Sequence, residues 1–157
     1  MSTHQRGRII AGVFLAGLIG VMLGVSAFTF AYAEGASYLS EDPAACMNCH
    51  VMREHYDGWS KSPHHAFATC NDCHVPHATV PKYIAKAVHG YRHSKAFTFQ
   101  DFHEPIRITP GDLEIVQANC LRCHQELVSE LPGHDGVGGV PVDCVSCHSG
   151  IGHGAAN

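Results

Sequence analysis

No cysteine in this chain stands outside four short motifs, no acidic residue precedes Glu34, and no charged residue falls between Ile9 and Tyr32. Basic residues are scarce, ten Lys and Arg in 157 residues. They form no patch of the kind that tracks a phosphate backbone, which excludes a nucleic-acid face. Length is limiting too. After the first apolar run the chain is one small domain, too short to build a separate hydrophobic core around several large groups.

What is present is a repeated pentapeptide. Cys46-Met47-Asn48-Cys49-His50, Cys70-Asn71-Asp72-Cys73-His74, Cys120-Leu121-Arg122-Cys123-His124 and Cys144-Val145-Ser146-Cys147-His148 use all eight cysteines. Paired Cys-x-x-Cys units also serve zinc and thioredoxin-like redox chemistry, and a disulfide framework is open to an oxidised protein. None of these explains a histidine after every pair. Cys-x-x-Cys-His is the attachment signature of c-type haem: two thiols add to the porphyrin vinyl groups and the histidine binds iron. The expectation is four covalently bound haem c groups.

With about 30 residues per haem, the porphyrins themselves must form the core and the polypeptide must wrap them. The expected fold is mainly α and irregular, a compact tetrahaem cytochrome c domain with little or no β-sheet. Sixteen glycines and eight prolines suit such a wrapping. The first cysteines of motifs one and two are 24 residues apart, as are those of motifs three and four, with 50 residues between the pairs. That spacing suggests two di-haem units and a long connector.

Ile9 to Tyr32 is long enough, as a helix of about 36 Å, to cross a hydrocarbon core of about 30 Å. Ala31-Tyr32-Ala33 also matches a signal-cleavage pattern, but the apolar run exceeds the usual signal core of about 7–15 residues. The segment therefore reads as a retained single-pass anchor. Arg6 and Arg8 ahead of it place the N-terminus in the cytoplasm. The expected organisation is a cytoplasmic N-terminus at 1–8, a transmembrane anchor at 9–32 in the cytoplasmic (inner) membrane, and a haem domain at 33–157 facing the periplasm. Gly12, Ala16, Gly20 and Gly24 fall four apart and would form a smooth stripe for another helix.

The connector predicts a helix from about Pro81 to Ser94, with Lys82, Lys86, His89 and His93 sharing one face. That cationic row suits a membrane surface or haem propionates. Phe97, Phe99 and Phe102 are expected in an extended stretch. Thr109-Pro110-Gly111-Asp112 reads as a helix N-cap leading into motif three, and the glycine-rich 131–143 segment as a loop.

Low-spin electron-transfer haems take a second axial ligand. Ten histidines lie outside the motifs: His4, His55, His64, His65, His77, His89, His93, His103, His134 and His153. His4 is on the other side of the membrane. Nine exceed what four irons need, so counting assigns none. Met52, two residues after His50, is a further candidate.

Together these features resemble the NapC/NrfH family of membrane-anchored multihaem quinol dehydrogenases. The most specific matches are Cys46-Met47-Asn48-Cys49-His50-Val51-Met52, Ser62-Pro63-His64-His65, Cys73-His74-Val75-Pro76-His77 and the Lys82–His93 helix. The short C-terminus suits the nitrite-reductase branch. The resemblance implies that Met52 ligates the iron of the first haem, beside the membrane, and displaces His50. It implies that Lys86 and His93 line a quinol site. Some relatives carry an acid where this chain has His93, which leaves His93 to bind iron, accept a proton, or both.

It further implies His65 as the haem-four ligand opposite His148, and His153 as the haem-three ligand opposite His124, with His64 adjacent to the first. His74 would take its partner from His77, another local histidine, or a second protein. The implied activity is oxidation of menaquinol, with electrons passed to the catalytic pentahaem cytochrome c nitrite reductase in a hetero-oligomer at the lipid surface. The implied alternatives are another periplasmic acceptor, a nitrate or trimethylamine oxide reductase, or an electron relay without a quinol site.

Overall fold

An uncharged run of this length has one way to satisfy its backbone without water, and the chain takes it. In the computed structural model, which describes residues 2–134 and 143–154, helix α1 spans Thr3–Tyr32. Ser2 caps it, its Oγ accepting the Gln5 N–H at 3.3 Å. The helix is exposed along its whole length, and from Ile9 to Tyr32 it is uncharged on every side, as suits a helix solvated by lipid. Gly12, Gly20 and Gly24 face open space. The helix ends where Ala33 donates its N–H to Thr29 O at 2.9 Å and Glu34 turns to φ 51°. Gly35 then passes close beneath the Phe30 ring, which would have to move to admit a side chain there.

Residues 1–36 form one compact unit and 37–157 a second. In the second, short 3₁₀ turns at Pro43–Asn48, His50–Met52 and Pro63–Ala66 alternate with helices α2 (Arg53–Ser60), α3 (Cys70–His74), α4 (Thr79–Phe99), α5 (Pro110–Glu130) and α6 (Cys144–Cys147). No strand occurs among the described residues, as the composition implied.

Helix α5 organises the unit. Thr109 caps it as expected, with Pro110 in the first turn and Oγ1 accepting the Asp112 N–H at 3.3 Å. Motif three lies inside this helix, and α3 and α6, carrying motifs two and four, pack on it. Asn119 donates to both Cys73 O (2.9 Å) and Val75 O (3.0 Å), pinning the exit of motif two. Gln117 Oε1 accepts the Cys144 N–H at 2.9 Å, pinning the start of motif four. At the start of α3, the Thr69 N–H and Oγ1–H both donate to Asp72 Oδ2 at 2.8 Å.

The expected connector helix is longer than its sequence signals suggested. It starts at Thr79, with Pro81 in the first turn where no N–H is needed, and runs to Phe99. Phe97 and Phe99 are therefore helical rather than extended. The helix stops because Gln100 takes the left-handed conformation at φ 55°, a role usually signalled by glycine. Phe102 returns to pack on Phe97, its ring tilted by 40° with ring centres 5.0 Å apart. The glycine-rich loop expected over 131–143 lies, in residues 135–142, outside the described residues.

Among the described residues only Val75 and Lys86 are buried. The second unit therefore has almost no apolar core of its own, although fixing a chain of this length costs of order 1–2 kcal/mol per residue in backbone entropy. A polypeptide that wraps large flat groups has this character; a self-sufficient helical bundle does not.

Candidate functional site

All eight cysteines are free of disulfides, so every motif keeps both thiols for attachment. Motif one lies on the 3₁₀ turn that Asp42 caps, its Oδ1 accepting the Ala44 N–H at 2.9 Å. His50 and Met52 follow on one further turn, closed by the Met52 N–H to Cys49 O at 2.9 Å; His50 is exposed and Met52 half-buried. Helix α3, which opens with Cys70, packs against the Pro43–Asn48 turn that carries Cys46. Motifs one and two therefore abut.

Among the described residues, three pairs of histidine rings have centres about 6 Å apart, one of them His89 and His93, a turn apart on α4 with centres 6.0 Å apart and planes inclined by 11°. An iron bound by two imidazoles through nitrogens about 2 Å away holds the ring centres about 6 Å apart. His74 and His153 have ring centres 6.2 Å apart, with planes inclined by 13°. His64 and His124 are 6.1 Å apart, nearly perpendicular at 86°. Burial pushes His74 down to about 4 and lowers His153, favouring the neutral imidazole that a metal takes. Gly58 makes room for this arrangement, because a side chain there would strike the His153 carbonyl.

The remaining expected ligands sit elsewhere. His65 packs edge-on against Trp59 with ring centres 4.8 Å apart. The His77 Nε2 lies 3.3 Å from Asp72 O. His148 ends α6, exposed.

The row on α4 does come together, and its partners are far off in sequence. Lys82 Nζ lies 2.8 Å from Glu41 Oε2, and Lys86 Nζ lies 2.7 Å from Glu41 Oε1. Lys86 also donates to Ser40 O (2.9 Å) and Leu39 O (3.4 Å). Hydrogen bonds from the two lysines hold Glu41 down at about 2. One turn further on, His89 Nε2 pairs with Asp112 Oδ1 at 2.9 Å. His93 Nδ1 shares a hydrogen bond of 2.9 Å with the Tyr38 hydroxyl. Burial pushes Tyr38 up to about 12 and lowers His93. Lys86 and His93, seven residues apart, thus grip the same segment, residues 38–41, which leads into motif one.

The family model for the NapC/NirT cytochrome c family, N-terminal region, matches residues 6–157. The chain belongs to the NapC/NirT cytochrome c family. It is 36% identical to the cytochrome c-type protein NrfH of Wolinella succinogenes, over 87% of this chain and 82% of that protein. It is 32% identical to the cytochrome c nitrite reductase subunit NrfH of Nitratidesulfovibrio vulgaris, over 85% and 80%. Among solved structures it is similar to a chain of the cytochrome c nitrite reductase NrfHA complex bound to the HQNO inhibitor. That match has a TM-score of 0.63 and 29% identity, over 88% of this chain and 90% of the other.

As a member of the NapC/NirT family with an exposed apolar helix ahead of its motifs, the chain is a membrane-anchored cytochrome with covalently bound haem c. Sequence reasoning singled out Lys86 and His93, named Asp112 only as part of a helix cap, and missed Glu41 and Tyr38. Glu41, Tyr38 and Asp112 lie 45, 55 and 23 residues from the groups they hold. Only the fold brings them in.

Proposed function

We propose that this cytochrome is a tetrahaem quinol dehydrogenase, with its haem domain in the periplasm, that feeds electrons from menaquinol to a catalytic pentahaem nitrite reductase making ammonium. The observation that carries the reading is the α4 face, a cation and an imidazole seven residues apart beside the first haem motif. The NrfH relatives, and the inhibitor bound to the NrfHA complex, support it.

Haem c, when bound, supplies one-electron carriers for the two electrons a quinol releases as it becomes a quinone. The protein's task is to bind the quinol and relay its two protons, one after the other, to bulk water. The Lys86 ammonium donates a hydrogen bond to one quinol oxygen. His93 handles a proton at Nε2. When Tyr38 Oη–H donates to Nδ1, Nε2 carries the proton and donates; when Nδ1–H donates to Tyr38 Oη, Nε2 is free to accept. A hydroxyl serves both forms, so the pair survives proton transfer.

Cys46, Cys49, Cys70, Cys73, Cys120, Cys123, Cys144 and Cys147 form the thioethers. His74, His124 and His148 would hold iron as the motif ligands, and Met52 would serve the first haem in place of His50. The ring spacing suits His153 as a partner that would share an iron with His74, and His64 with His124, a different pairing from the one the resemblance implies. His65 and His77 are left as local candidates.

The test is menadiol reduction of the purified full-length protein, with Lys86→Met and His93→Ala variants of unchanged haem content. Both variants should depress the rate; unchanged rates in both would reject the site. Identifying the protein that co-purifies from membranes tests the acceptor.

A further inference from the structure

Lys86 is only 3% exposed, and an ammonium has three N–H donors. Two have short partners, Glu41 Oε1 at 2.7 Å and Ser40 O at 2.9 Å; the third reaches Leu39 O only at 3.4 Å. That last distance is at the weak end for a hydrogen bond, so this N–H is the most loosely held of the three.

Glu41 is itself held. Its second oxygen meets Lys82 Nζ at 2.8 Å and Asn71 Nδ2 at 3.4 Å, and the same amide donates to Ser40 O at 3.0 Å. Asn71 lies between the two cysteines of motif two. The Glu41 side chain is 54% exposed, and ion pairs that open to water add little stability. Holding a carboxylate from Lys82, Lys86 and Asn71 at such a position fixes a direction more than it stabilises the fold. A lysine side chain free to rotate loses much rotamer entropy when a ligand orders it; here that ordering precedes the ligand.

We propose that Glu41 is a positioning residue of the quinol site, fixing the Lys86 ammonium through one carboxylate oxygen while Lys82 and Asn71 fix the other. This rests on the reading of Lys86 as a quinol-binding group. Glu41 touches no quinol itself. It sets the direction of the one loosely held N–H.

The test uses the full-length haem-loaded protein in detergent, with menadiol as donor and haem reduction as signal. The half-saturating menadiol concentration and the limiting rate are read separately. Glu41→Gln keeps the shape but removes the charge. It should raise the half-saturating concentration about tenfold, the scale of one charge-assisted hydrogen bond, with the limiting rate changed much less. Glu41→Asp keeps the charge on a shorter arm and should recover part of the loss. Glu41→Gln added to Lys86→Met should cost nothing beyond Lys86→Met alone, because the positioned group is gone.

Wild-type behaviour of Glu41→Gln beside an impaired Lys86→Met overturns the positioning role and leaves the quinol site standing. Additive losses in the double variant also overturn it. An unimpaired Lys86→Met overturns both readings. Haem content by pyridine haemochrome separates misassembly from these outcomes. Should Glu41→Asp assemble poorly, the isosteric Glu41→Gln decides.

Discussion

The Tyr38 hydroxyl and the His93 Nδ1 stand 2.9 Å apart, joining the stretch before motif one to the last turns of α4. The Tyr38 ring lies over Gly90, in ordinary van der Waals contact range of about 3.6 Å for a side chain built there. A phenol in this place keeps the imidazole oriented and stays protonated, since burial pushes it up to about 12.

Tyr38→Phe keeps the ring and removes the hydroxyl. It should slow menadiol oxidation about three- to tenfold, the loss of roughly one hydrogen bond, with all haems attached. Stopped-flow haem reduction reads the effect, and a wild-type rate would remove Tyr38 from the proton path.

His153→Ala and His64→Ala should each change a different iron. With His153 paired to His74 and His64 to His124, each variant should convert one low-spin signal in electron paramagnetic resonance to high spin. If His153→Ala perturbs the iron of motif three and leaves that of motif two intact, the pairing implied by the resemblance holds and the ring geometry does not.

Asn119 bridges helix α5 to the exit of motif two through two carbonyls. Asn119→Ala leaves both without that donor, and the haem-loaded protein should lose about 1–3 kcal/mol in denaturant unfolding. A change below about 0.5 kcal/mol, the usual range of surface substitutions, would show that the bridge is dispensable.

Acid should weaken the segment that Lys86 and Lys82 hold. Glu41 is depressed from 4.5 to about 2 by its hydrogen bonds to Lys82 and Lys86. A carboxylate with a lowered folded-state value contributes stability above its unfolded value and loses it as pH falls through the folded one. The contribution is therefore full above about pH 4.5 and gone near pH 2, and it is modest because the side chain is largely exposed. Glu41→Gln should flatten the fall in stability across that window; an identical acid profile in wild type and variant would contradict the assignment.

Much of this architecture can be read from residues in order. The eight cysteines announce attachment, the uncharged 9–32 run announces α1, and Thr109-Pro110 announces the start of α5. Those signals are local. The end of α4 was not legible because Gln100, not glycine, takes the positive φ, so Phe97 and Phe99 were read as extended. The histidine pairings and the Glu41 clamp are products of chain folding over tens of residues. Nine histidines after the apolar run lie outside the Cys-x-x-Cys-His motifs, and nothing in local spacing separates His64 from His65.

Covalent haem number and quinol-driven reduction can be read on one purified sample of the full-length chain. Intact-mass spectrometry should show four haem additions, and menadiol should reduce those haems in a reaction that HQNO blocks. A colourless chain, or a fully loaded one that dithionite reduces but menadiol does not, would contradict a tetrahaem quinol dehydrogenase.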